Sequence, residues 1–103
     1  GMDAYGTETA AAPEALAATL QTTPLAGWQR RDSGGGSVEY RLPDEQGLCA
    51  AGKVTVRPDL LGDAAVRVDL VKGCRSAGTT YYDSVDGAAE GVAETLRAAP
   101  SDP

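Results

Sequence analysis

Residues Leu48–Cys74 read LCAAGKVTVRPDLLGDAAVRVDLVKGC, and the alternation inside this stretch decides the fold. Gly52, Val54 and Val56 alternate with Lys53, Thr55 and Arg57. After PDLLGD, Ala64, Val66, Val68 and Leu70 alternate with Ala65, Arg67, Asp69 and Val71. A period of two sends successive side chains to opposite faces of a strand. Two such runs joined by a Pro-, Gly- and Asp-bearing connection predict an antiparallel hairpin. Residues opposite each other in the ladder share a face. Setting Val56 opposite Val68 and Val54 opposite Leu70 therefore turns every even-numbered side chain of the pair inward and leaves the arginines in water.

The same stretch holds the only two cysteines, Cys49 and Cys74. In the simple register Cys74 falls on the core face and Cys49 on the outer one, which forbids the short Cβ separation of a disulfide. A bulge at Gly52 or Gly73 would bring them to one side. Strands that stop pairing before the cysteines would also free them to meet. A bridge would close a loop of roughly 25 residues, worth ~3–4 kcal/mol in the chain-entropy view. Bridge and free thiols both stay open at this point.

Outward from the hairpin, Val38, Tyr40 and Leu42 alternate with Glu39 and Arg41. AGWQRR and VEYRLP flank the Gly-rich DSGGGS, which reads as a flexible hairpin tip. Trp28 is the largest side chain and is expected to anchor the first strand. GTTYYDS predicts a fifth strand. A first helix is expected within TETAAAPEALAATLQTT, with Pro13 in its first turn and Leu16 and Leu20 as its apolar stripe, extended by Ala12 and Ala17. A last helix is expected along SVDGAAEGVAETLRAA. Asp83 or Ser84 caps it, Val85, Ala89, Val92 and Leu96 face inward, and Pro100 closes it. The order predicts an α+β two-layer sandwich: an antiparallel meander of four or five strands, with the N- and C-terminal helices packed on one face. Residues 9–100 form the domain. Residues 1–8 read as a tag remnant and loose tail, and 101–103 as a second tail.

Composition narrows the function. The chain of 103 residues has a formal net charge of −6 and no histidine. A negative surface repels phosphate backbones and anionic lipid, so nucleic acid and membrane partners are not expected. Without histidine there is no His-activated nucleophile, His–zinc site or imidazole proton shuttle. The cysteines are not spaced as a C-x-x-C redox pair. No catalysis, metal or cofactor is expected.

Two charged surfaces remain as candidates. Asp86, Glu90 and Glu94 recur every four residues on the last helix, as a solvated face or as a docking face for a basic partner or a cation. Arg30, Arg31 and Arg41 cluster on the first hairpin, and Arg57 and Arg67 are expected to join them on a basic, helix-free sheet face. Gly87 and Gly91 lie by angle opposite the core stripe, where compositional drift or a close-packed partner accounts for them. The expected role is a non-catalytic protein-interaction or oligomerisation module using the open sheet face or an edge strand. The alternative is a secreted or cell-surface domain stapled by Cys49–Cys74, with a structural or ligand-binding role. A third reading is a small-ligand carrier or carboxylate-based enzyme, its pocket between sheet and helices near Trp28 and Tyr82. If Met2 is the native start the compartment is cytoplasmic; a trimmed chain implies secretion or the cell envelope.

Overall fold

The computed structural model describes residues 10–44, 47 and 49–98. The tails expected at 1–8 and 101–103, and the closing role of Pro100, lie outside these residues. In chain order the elements are α1 (Pro13–Leu20), β1 (Gln29–Gly34), β2 (Ser37–Leu42), β3 (Gly52–Pro58), β4 (Val66–Lys72), β5 (Arg75–Tyr82) and α2 (Val85–Ala98). The strands form one antiparallel sheet in the order β1-β2-β3-β4-β5, each pairing with the next in sequence. Helix α1 rests on β2 and β3, helix α2 on β4 and β5, and the helices touch each other. This is the α+β sandwich that the alternation predicts.

The middle hairpin adopts the expected register, with Val54 opposite Leu70 and Val56 opposite Val68. Val38, Tyr40, Val54, Val56, Val66 and Val68 are buried in one cluster with Leu16, Leu20, Trp28, Ala88, Val92 and Leu96. Each fully buried aliphatic or aromatic side chain of this kind contributes about 1.5–3 kcal/mol. The inward stripe of α2 is turned slightly from expectation: Ala88 is fully buried, while Val85 and Ala89 are only partly so. Ala12 is exposed, and Ala11 packs on the core in its place.

Three inward side chains tie the sheet to the helix ends. The Trp28 Nε1–H donates to the Leu96 carbonyl at 3.1 Å, the Tyr40 hydroxyl to the Leu20 carbonyl at 3.2 Å, and the Arg30 Nη2 to the Ala17 carbonyl at 3.1 Å. The Ala17 and Leu20 carbonyls also accept the Gln21 and Thr23 N–H groups, each at 3.1 Å, so there the side chain adds a second bond. The Leu96 carbonyl lies in the last turn of α2, where a helix leaves its carbonyls without a partner of their own. Burial also pushes the Tyr40 phenol up from its ordinary value, against the lowering effects of Arg30 and Thr23, and keeps it a neutral donor. At the start of α2, the Ser84 Oγ accepts the Gly87 N–H at 3.0 Å, as expected of a cap.

Several local features depart from expectation. The Gly-rich tip is a specified turn: Gly35 and Gly36, the two residues between β1 and β2, have φ of 61° and 82°. Positive φ at both central positions is the I′ pattern that matches strand twist. A β-carbon at Gly36 would lie 2.7 Å from the Pro13 Cβ, so the tip also seats against the start of α1. Trp28 precedes β1 rather than lying within it. Strand β5 begins at Arg75, earlier than GTTYYDS suggests, because Gly73 and Cys74 turn the chain in two residues. Gly91 faces the protein's own sheet. A β-carbon there would overlap the Tyr82 hydroxyl and lie 2.5 Å from its Cζ. Compositional drift does not explain this glycine; the Tyr82 ring does.

Candidate functional site

The face of the sheet opposite the helices carries the odd-numbered residues of β2, β3 and β4 in three cross-strand rows. One row runs Gln29, Arg41, Lys53, Val71, Ser76. The next runs Arg31, Glu39, Thr55, Asp69, Thr79. The third holds Arg57, Arg67 and Tyr81. Arg41, Arg57 and Arg67 lie on this face as expected. Arg30 does not. It pairs with Tyr40, which points inward, so Arg30 stands on the helix side, bonded to Ala17 and to Asp32 at 3.1 Å. Nothing in QRRDSG alternates in hydropathy, so the face of β1 is set only by its partner strand. Asp86, Glu90 and Glu94 are exposed on α2. The sheet face is therefore basic and the helix layer acidic, with Arg30 moved from the first to the second.

Asp69 organises the basic face, and charge counting along the chain missed it. Arg57 and Arg67 stand directly opposite each other, an arrangement in which like charges repel. The Asp69 carboxylate accepts from Arg57 Nη2 at 3.1 Å, pairs with Arg67 Nε at 3.2 Å and accepts from the Thr79 hydroxyl at 2.5 Å. Partial burial alone would raise its pKa. Hydrogen bonds from Thr79, Arg57 and Arg67, together with the Arg67 charge, outweigh that and hold it below the ordinary aspartate value. The folded pKa lies below the unfolded one, so Asp69 stabilises the protein above the unfolded value. That contribution is lost as pH falls through the folded one. Asp69→Asn is expected to cost about 1 kcal/mol at neutral pH, because the two arginines lose their counter-charge. Urea titrations over the acid range check this: the variant loses less stability than wild type as pH drops below 3.8.

Arg41 and Lys53 repeat the like-charge pairing four residues along β3, on its other side. Neither is in an ion pair among the described residues. They line a concavity of about 440 Å³ with Val71, Ser76 and the two cysteines. The cysteines are bridged, with Cα atoms 5.3 Å apart, in the usual range for a disulfide. Of the routes that the sequence left open, the strand-end one holds. Strand β3 starts at Gly52, β4 ends at Lys72, and the register between them has no shift. Cys49 and Cys74 thus lie beyond the pleat that would separate them.

Strand β5 is an outer strand, exposed from Arg75 to Tyr81. A register shift between Leu70 and Val71 leaves Ala77 unpaired, a bulge of the kind that blunts edges. Beside the Tyr81 end of the strand, the β3–β4 connection presents Leu60 and Leu61, the latter 97% exposed. The buried Asp59 carboxylate holds this loop by accepting the Gly62 and Ala64 N–H groups at 3.2 and 3.1 Å. On the helix side, a cleft of about 360 Å³ lies between Trp28, Leu70, Tyr82 and Thr95, with Lys72 and Glu94 also lining it, where the ligand-carrier reading places a pocket.

Among the described residues no three His, Cys, Asp or Glu side chains are grouped to hold a metal ion. No described helix is long and apolar enough to cross a membrane. Searches against protein-family models, curated proteins and solved structures return no match for this chain.

Proposed function

We propose that the chain is a non-catalytic protein-interaction module that docks an acidic partner surface through the open sheet face and the edge of β5. One observation carries this reading. In a chain of net charge −6, the face away from the helices gathers Arg31, Arg41, Lys53, Arg57 and Arg67 against only Glu39 and Asp69. Complementary potential steers encounter and fixes register. Tyr81, more than half exposed in the arginine row, supplies the amphipathic ring that interfaces favour. The outer edge of β5 offers main-chain groups for strand addition. The Cys49–Cys74 bridge supports a working place outside the reducing cytosol, in a secreted or cell-envelope setting.

Affinity capture from an extract of the source cell tests the reading with three baits. They are wild type, Arg31→Glu/Tyr81→Ala on the sheet face, and Glu90→Lys/Glu94→Lys on the helix face. Proteins retained by wild type and by the helix-face variant should be absent from the sheet-face variant. Equal retention on all three baits overturns the proposal. Light scattering at rising concentration shows whether the partner is a second copy.

A further inference from the structure

We propose that the concavity bounded by Arg41, Lys53, Ser76 and the Cys49–Cys74 bridge binds the oxyanion of a small molecule, a carboxylate or phosphate group. The protein contains its own precedent. In the neighbouring rows, two cations opposed across β3 and β4 are reconciled by a carboxylate, that of Asp69, which also takes a hydroxyl bond from Thr79 on β5. A like-charge pair recurs at Arg41 and Lys53, opposed across β2 and β3, in the row that ends on β5 at the Ser76 hydroxyl. In this row the uncharged Val71 stands between Lys53 and Ser76. The position that corresponds to Asp69 is Glu39, in the next row on β2, and it forms no ion pair with either cation among the described residues. Two cations and a hydroxyl therefore share one row with no ion pair to a carboxylate among the described residues.

The surroundings suit an incoming anion. Among the described residues no acidic side chain lines this concavity, and its volume is of the size that holds small ligands. Its walls are fixed by the disulfide and by the Gly73 N–H, which donates to the Ala51 carbonyl at 3.3 Å. Arg41 offers a planar fork that matches an oxyanion in two bonds, and Lys53 adds a point charge. Keeping two like charges face to face costs stability in the free protein, and a bound anion reverses that cost.

The test is an amide NMR titration with two probes, citrate and inorganic phosphate, each at constant ionic strength against sodium chloride. Saturable shifts at Lys53, Gly73 and Ser76 are expected with at least one probe. Saturation with citrate alone identifies the carboxylate source, and with phosphate alone the phosphate source. Arg41→Gln/Lys53→Gln should bind at least about tenfold more weakly. Its melting temperature without ligand should equal or exceed that of wild type, which separates lost binding from lost folding. Shifts that follow ionic strength alone, or that persist unchanged in the double variant, overturn the proposal. Arg31→Glu/Tyr81→Ala should bind the anions normally, so this site and the protein-docking surface fail or stand separately.

Discussion

Trp28→Ala should lower stability by about 3–5 kcal/mol, the range for deleting a buried aromatic, out of the ~5–15 kcal/mol available to a domain of this size. Trp28 is 3% exposed. It enters the core from a tight turn in which its N–H donates to the Leu25 carbonyl at 2.8 Å, with Ala26 and Gly27 at φ of 48° and 90°. Its indole N–H does a job that the chain cannot do locally. The carbonyl of Leu96 would ordinarily take its helical bond from residue 100, which is a proline and has no N–H. Trp28 supplies the missing donor from 68 residues away. Trp28→Phe keeps most of the ring and removes the donor. It should cost about 1–3 kcal/mol, the penalty of an unpaired buried carbonyl plus a small cavity. Urea unfolding followed by circular dichroism measures both variants. A loss below 1 kcal/mol for the alanine variant would mean that α2 does not depend on this anchor.

Removing the disulfide should have the next largest effect. The bridge spans 25 residues, and closing a loop of that length removes about 3.5 kcal/mol of chain entropy from the unfolded state. Cys49→Ser/Cys74→Ser should lose an amount of this order. Wild type treated with reductant should unfold at the same urea concentration as the variant, since the missing constraint is the same. Thiol titration in denaturant should find two reactive groups only after reduction. The variant should also lose anion binding at Arg41 and Lys53, because one wall of the concavity is the bridge itself.

The register of the middle hairpin was legible because Val54, Val56, Val66, Val68 and Leu70 can all be buried in only one pairing. A slip of one residue would turn one of the two strands over and bury its arginine, Arg57 or Arg67. The same logic failed wherever a strand lacked that contrast. In β1 no apolar residue alternates, so the side taken by Arg30 depends on Tyr40 across the ladder. The cysteine pairing depends on where pairing ends, and alternation says nothing about strand ends. Asp69 reads as one more solvated acid until the register sets it beside Arg57, Arg67 and Thr79, which lie 12, 2 and 10 residues away. Gly91 likewise has its reason in Tyr82, a residue of another element. Of the candidate surfaces, Arg41, Arg57 and Arg67 were assignable from period alone. The Arg41–Lys53 pairing was implicit in the strands but not in their alignment, which local patterning leaves free.

The meander order has a consequence for synthesis. Every strand pairs with the one made just before it, so the whole ribbon can assemble while the fourteen-residue helix α2 is still inside the ribosome. Until that helix emerges, Val66 and Val68 lack the cover of Ala88, Val92 and Leu96. A greasy flank is then bare until α2 has emerged, the kind of surface that chaperones hold. Truncated nascent chains ending before Val85 should accordingly stay bound to such factors, and release should follow the appearance of Leu96.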